Sequence, residues 1–239
     1  MECNSFSEAL SGLPSRGSGA PARGDDVVAA RGLAGLRLPR TVASGVDVLL
    51  FRQTDSTNSV AVRVLAKGGV DGRAYDGFPD LVVVADSQTG GHGRLGRPWR
   101  ERPHGSMMVS YVGVMPWSVV SDPSVNGWIS LLSGLAALDA VDDVVGCCGA
   151  LPTHDDCSMA LKWPNDIFCD GLKMGGILVQ IVPLDESLAG VVVGVGMNTS
   201  IAQSDLPIAG STSLMVHRSP LPGDDDLRDM MVSALSHRL

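Results

Sequence analysis

The sequence has no surplus of positive charge, no long apolar run and no paired-cysteine pattern. Its 239 residues carry 18 Lys and Arg against 26 Asp and Glu, a net charge of −8. An acidic chain is a poor match for nucleic acid or an anionic membrane, so neither is expected as a partner. Any anionic ligand must instead meet a local basic site. Gly and polar residues interrupt every apolar stretch before the roughly 18 residues that a membrane span needs. The five cysteines (Cys3, Cys147, Cys148, Cys157 and Cys169) are odd in number and contain no C-x-x-C pair. That excludes a disulfide framework and points to a reducing, cytoplasmic setting. The amino terminus carries Glu2 and Glu8 and lacks the apolar centre of a secretory signal. Charged residues are scarce at 18%, but 44% hydrophobic residues exclude global disorder. A chain of this length can bury roughly 70% of its unfolded surface without the help of a metal or disulfide.

Residues 1–44 are rich in Gly, Ser, Pro, Ala and Arg, and read as a flexible tail. Asp25 and Asp26 argue against a transit peptide there. Ordered structure is expected over 45–239 as one catalytic domain. A strand is expected at 46–52, then a helix N-capped by Ser56 or Thr57 and closed at Gly68–Gly69. Residues 81–85 form an unbroken apolar run and read as a buried strand. Residues 87–105 are a long loop, and loops of that length are usually functional or mobile. Residues 106–114 are again a strand. Trp128, Leu131, Leu132, Leu135, Leu138 and Val141 or Asp142 recur at helical spacing and predict a helix packed on the sheet by that face. Short strands follow at 160–163 and 167–169, with Asp170–Gly171 as a hairpin turn into 172–182. A buried strand covers 190–197, and a last helix covers 224–239. Hairpins join the strands as often as helices do. The fold class is therefore α+β, a mixed, largely antiparallel central sheet flanked by helices.

Gly91, Gly93 and Gly96 formally match G-x-G-x-x-G after a strand. A dinucleotide fingerprint must open a helix at that point, and Pro98 and Pro103 prevent one. What the loop does hold is four arginines, Arg94, Arg97, Arg100 and Arg102, in an otherwise acidic chain. Gly lets backbone N–H groups approach a phosphate, and Arg clamps its oxygens. Trp99 adds a flat face for a base. The loop reads as an anion or nucleotide-phosphate loop, against the blander reading of a solvated surface loop.

Further segments carry chemistry. Asp55-Ser56-Thr57-Asn58 opens a helix and taken alone is an N-cap. Lys162-Trp163-Pro164-Asn165-Asp166 interrupts the sheet at Pro164, and a functional site and an edge turn stand level there. Lys173-Met174-Gly175-Gly176-Ile177-Leu178 and Gly194-Val195-Gly196-Met197-Asn198 place glycines within strands, where close backbone or ligand approach is the usual reason. His154-Asp155-Asp156-Cys157 is short and isolated, and reads as a polar loop rather than a metal-ligand set. Cys147–Cys148 reads as structural.

Taken with Gln88 and Gly91-His92-Gly93-Arg94-Leu95-Gly96-Arg97-Pro98-Trp99, these blocks occur in the order and spacing of biotin protein ligases. From about residue 45 to 200 the chain resembles the catalytic domain of that family, whose fold is shared with lipoate ligases and class II aminoacyl-tRNA synthetases. The resemblance implies ATP-dependent formation of biotinyl-5′-AMP and transfer of biotin to a lysine of a biotin carboxyl carrier protein. It leaves a homodimer open. It implies Lys173 and Arg94 as catalytic residues. Biotin would be held by Ser56, Thr57, Asn58, Gln88, Gly91, Arg94, Lys173, Gly175 and Gly176. The nucleotide would be held by His92, Arg94, Arg97, Trp99, Lys162, Asn165 and Asn198. Mg²⁺ would accompany ATP, with Asp166 as a candidate ligand. The family loop usually has Arg where this chain has His92. A lipoate or octanoyl transferase of the same fold and a non-catalytic biotin-binding module are the alternatives, and the Lys162–Asp166 block favours biotin. A DNA-binding front domain is not expected in residues 1–45, and the small β-barrel that often ends the family is expected to be absent or cut short.

Overall fold

The computed structural model describes residues 27–28, 37–70, 78–102, 104–155 and 157–239. The strands are β1 (Val27–Val28), β2 (Asp47–Phe51), β3 (Leu81–Ala85), β4 (Ser106–Pro116), β5 (Leu151–Pro152), β6 (Met159–Lys162), β7 (Asp166–Cys169), β8 (Leu172–Pro183), β9 (Leu188–Asn198) and β10 (Arg218–Ser219). Among the described residues, one eight-stranded sheet runs in the order β1-β2-β3-β4-β9-β8-β7-β6, and β10 pairs with β5 separately. Among the described strands only β2 and β3 pair in parallel; every other strand pairing is antiparallel. The expected mixed, largely antiparallel α+β sheet is present.

The helices are α1 (Pro39–Ala43), α2 (Thr57–Ala66), α3 (Trp117–Val120), α4 (Asn126–Cys148), α5 (Leu214–His217) and α6 (Asp224–Arg238). Two apolar layers result. Val60, Ala61, Val64 and Leu65 of α2 pack with Leu49, Val83, Val112 and Val192 on one face of the sheet. On the other face Ala137, Val141, Met231 and Leu235 of α4 and α6 pack with Val82, Val109, Met174 and Val193. The alternation along β3 and β9 sends successive side chains to opposite layers, so these strands are apolar throughout.

Two expectations need correction. The tail boundary at residue 44 is too late. Leu38 is fully buried, Arg37 donates to both carboxylate oxygens of Asp86, and the Thr41 hydroxyl donates to Asp229. The remaining tail expectation, apart from residues 27–28, falls outside the described residues. The buried face of α4 is also not the one that the large residues mark. Ser133, Gly134, Ala136, Ala137, Ala140, Val141 and Val144 face inward, while Trp128, Leu132 and Leu135 are exposed. The helix lies close to the sheet: a Cβ at Gly134 would come within 3.0 Å of Leu161 and 3.2 Å of Ile177. Large side chains from the strands fill that layer, and only small ones fit opposite them.

Candidate active site

A cleft of about 540 Å³ opens over β4, β8 and β9, within the size range of small-molecule sites. One wall is the amino-terminal turn of α2. Ser56 is the N-cap, but its side chain caps nothing. Gln88, thirty-one residues on, does that work: its Oε1 accepts from the Thr57 N–H at 2.7 Å and the Thr57 hydroxyl at 3.2 Å. Asn58 is buried, and its Nδ2 donates to the Leu178 carbonyl and to Gln180 Oε1. Ser110 Oγ donates to Asn58 Oδ1 at 2.6 Å and lies 2.8 Å from Thr57 Oγ1. A Cβ at Gly194 would collide with the Asn58 amide, so that strand can pass only as glycine. This wall is neutral, tightly bonded and held from α2, β4, β8 and β9 at once.

The facing wall is the loop at residues 88–99. Gly93 N–H donates to the Arg97 carbonyl and Trp99 N–H to the Gly91 carbonyl, so the loop closes on itself as a small hairpin. Its tip holds Leu95 in the left-handed region (φ 57°) and 90% exposed, followed by Gly96 at φ 68°. Arg94 and Arg97 line the cleft and form no ion pair among the described residues. Arg102, by contrast, is bound to Asp205 at 2.6 Å. His92 turns back, its Nδ1 3.0 Å from the Gly90 carbonyl. Trp99 packs its ring over Gly196, and its Nε1 is buried without a hydrogen-bond partner among the described residues.

The floor between the walls carries an ion pair. Lys173 Nζ donates to Asp166 Oδ1 at 2.6 Å, both groups partly exposed to the cleft. Gly176 makes room for it, since a Cβ there would lie 3.3 Å from Asp166 Oδ1 and 3.6 Å from Lys173 Nζ. The β6–β7 turn forms the rim. Asn165 Nδ2 donates to the Ile177 carbonyl at 2.7 Å, Lys162 Nζ sits 4.8 Å from the centre of the Phe168 ring, and Trp163 stands 81% exposed.

Thus Ser56, Thr57, Asn58, Gln88, His92, Arg94, Arg97, Trp99, Lys162, Asn165, Asp166, Lys173 and Gly176 all line one cleft. Three expected residues do not. Gly175 faces the neighbouring strand, where a Cβ would lie 2.8 Å from the Gly196 carbonyl oxygen; its smallness serves strand packing. Gly91 packs against Gln88 and Trp99 behind the loop. Asn198 is buried beyond the cleft, where it donates to the Thr212 carbonyl and anchors the chain after β9. Ser110 and Gln180 were not anticipated, and Trp163 was marked only as part of its block. The one hint for Ser110 is a small hydroxyl between apolar residues in the middle of β4. Glu101 was also missed: its Oε1 accepts from the Gln88 N–H, and burial pushes its carboxyl pKa up.

A model of the biotin/lipoate A/B protein ligase family matches residues 50–198, and the chain belongs to that family. It is similar to the biotin–[acetyl-CoA-carboxylase] ligase of Mycobacterium tuberculosis, at 33% identity over 190 residues that cover 78% of this chain and 62% of that protein. It is similar also to the chloroplastic biotin–protein ligase 1 of Arabidopsis thaliana, at 38% identity over 51% of this chain and 30% of that protein. The chain thus spans less than two thirds of the length of these curated relatives. Among solved structures, the fold resembles the Leishmania major biotin protein ligase in complex with biotinyl-5-AMP (TM-score 0.56, 24% identity, 79% of this chain and 72% of that one). The Aquifex aeolicus biotin protein ligase in complex with biotin and ATP has a TM-score of 0.54 at 21% identity, over 80% of this chain and 69% of that one. Among the described residues no helix is long and apolar enough to cross a membrane.

Proposed function

We propose that the chain is an ATP-dependent biotin–protein ligase. In the first step a carboxylate oxygen of biotin attacks the α-phosphorus of ATP. A P–O bond breaks, biotinyl-5′-AMP forms and pyrophosphate leaves. In the second, the neutral amine of a lysine on a biotin carboxyl carrier protein attacks the mixed anhydride carbonyl. An amide forms, AMP leaves and the amine loses a proton. Both reactions bring an anion or a nucleophile up to a polyanion, so position and positive charge supply most of the rate.

The observation that carries this reading is the division of the cleft. One wall is neutral, rigid and hydrogen-bonding, which suits the ureido edge and apolar rings of biotin. The other presents Arg94 and Arg97 without ion-pair partners among the described residues, which suits phosphates. Lys173 lies between them, held by Asp166, where its ammonium can meet the reacting carboxylate and then the carbonyl oxygen. Trp99, with an unused Nε1–H, belongs to the nucleotide side together with His92, Lys162 and Asn165. Ser56, Thr57, Asn58, Gln88 and Gly176 belong to the biotin side.

Among the described residues Asp166 is the only carboxylate lining the cleft, and it is committed to Lys173. The residues therefore fit Mg²⁺ poorly as a protein-held ion. They fit it as an ion carried in on ATP's own phosphate oxygens and water.

The test is biotin-dependent pyrophosphate release from Mg·ATP, followed by transfer of labelled biotin to an isolated carrier domain. Release supported by lipoate or octanoate but not by biotin would shift the assignment to the lipoate branch of the family. Biotin binding with no release would leave a binding module.

A further inference from the structure

A second group of side chains lies outside the cleft, on the far end of the β7–β8 hairpin. His154 and Cys157 come from the loop after β5, Asp170 from the β7–β8 turn and His217 from the end of α5. One ligand atom from each lies within 4.8 Å of all the others. Asp170 Oδ2 is 2.7 Å from His154 Nε2 and 2.9 Å from His217 Nδ1.

The hydrogen bonds around this group fix what faces its centre. The Thr153 hydroxyl donates to the Val216 carbonyl, so its oxygen accepts from His154 Nδ1–H. His154 Nε2 is then the nitrogen that faces Asp170, 2.7 Å from its Oδ2. His217 is 5% exposed, and its Nδ1, though 2.9 Å from Asp170 Oδ2, makes no well-directed hydrogen bond among the described residues. Its other nitrogen is engaged by Thr212 Oγ1 at 2.7 Å. Each imidazole thus has its outer nitrogen on a threonine hydroxyl and its inner one aimed at a shared point, as histidines around metals do. Arg218 Nη1 donates to Cys157 Sγ.

We propose that His154, Cys157, Asp170 and His217 form a four-coordinate site for a divalent transition cation of the Zn²⁺ class. The nitrogen, sulfur and oxygen donors suit zinc, and four protein ligands leave no position for catalysis, so the site is structural. Bonds of about 2.0–2.3 Å in a tetrahedron separate ligand atoms by roughly 3.3–3.7 Å, so the two short Asp170 contacts would open and the longest separation would close. The half-exposed His154 provides the way in. The site would clamp the β7–β8 hairpin to the segment that follows β9. That segment already pairs with the catalytic candidate, because Lys173 N–H donates to the Gly210 carbonyl and Thr212 N–H to the Lys173 carbonyl. The sequence pattern hid the group because Asp170 and His217 lie 16 and 63 residues from His154.

The full chain, stripped of metal with a chelator, is titrated with Zn²⁺ against a chromophoric competitor and separately with Co²⁺. One Zn²⁺ should bind per chain, and Co²⁺ should give a thiolate-to-metal charge-transfer band. His154→Ala, at an exposed position that leaves the fold intact by circular dichroism, should weaken Zn²⁺ by more than about 100-fold. Cys157→Ser should abolish the cobalt band, and Thr212→Val should weaken Zn²⁺ by roughly 10-fold. Asp166→Asn should bind as the parent does. Failure of the parent chain to bind Zn²⁺ would overturn the proposal. Unchanged affinity in both His154→Ala and Cys157→Ser would overturn it too, as would loss of binding in Asp166→Asn, which would put the metal in the cleft.

Discussion

The two walls of the cleft are made in opposite ways. The α2 wall is bonded to everything around it: Gln88 caps Thr57, Ser110 holds Asn58, and Asn58 ties α2 to β8. The Arg loop is bonded mainly to itself, and its Arg94 and Arg97 are exposed and, among the described residues, without ion-pair partners. A wall of the first kind pre-organises a rigid ligand at little ordering cost, because its side chains are already fixed. A loop of the second kind keeps its charge available and is free to close on a polyanion and exclude water. The difference separates two kinds of mutational effect. Changes in the loop and floor should alter rate with little effect on stability. Changes in the α2 wall should alter stability first.

The largest effect is expected at the floor. Lys173→Ala should reduce both pyrophosphate release and biotin transfer by about 1,000-fold, with an unchanged unfolding midpoint. A loss confined to the transfer step would move Lys173 out of the first reaction. Arg94→Ala should cost about 100-fold in kcat/KM for ATP, again at parental stability, because among the described residues its side chain has no ion-pair partner to lose. If it unfolds the protein, the contrast between the walls fails. On the α2 wall, Ser110→Ala strands the buried Asn58 Oδ1 and should lower stability by about 2 kcal/mol in urea unfolding. An unchanged midpoint would show that the network is looser than its geometry.

Two smaller effects sharpen the picture. His92→Arg exchanges an imidazole folded onto Gly90 for a charged fork beside the phosphates, and nucleotide affinity should rise by about 3- to 10-fold. Asp55, just before α2, provides a pH test. Burial raises its pKa, but hydrogen bonds from Arg63 and the Ser56 N–H outweigh this and bring it to about 2 from 3.8. A depressed carboxyl pKa stabilises the fold above about pH 4, and that contribution is lost as pH falls toward 2. The side chain is nearly half exposed, so Asp55→Asn should cost less than about 1 kcal/mol at pH 7 and nothing near pH 2. A cost that persists at pH 2 would assign the effect to packing rather than charge.

Much of the fold was legible because it is local. The apolar run at 81–85 became β3, and Asp170–Gly171 became the hairpin turn, with φ values of 50° and 75°. The cleft residues were legible by resemblance because their blocks are short and ordered. The face of α4 was not. Helical spacing marked the large residues, but closeness to the sheet decided for Gly134, Ala137 and Ala140. Nor were the roles of Gly175 and Asn198, since a glycine in a strand looks the same whether it admits a ligand or a neighbouring strand.

By itself the sequence determined the strand and helix pattern, the basic loop in an acidic chain and the family's blocks, all set by residues a few positions apart. Tertiary structure alone decided which distant groups meet: Gln88 with Thr57, Asp166 with Lys173, Arg37 with Asp86, and His217 with His154. The reason is physical. Hydrogen bonds, ion pairs and shared ligands act over a few ångströms, and only the packing of the sheet against its helices brings residues so far apart in the chain within that reach.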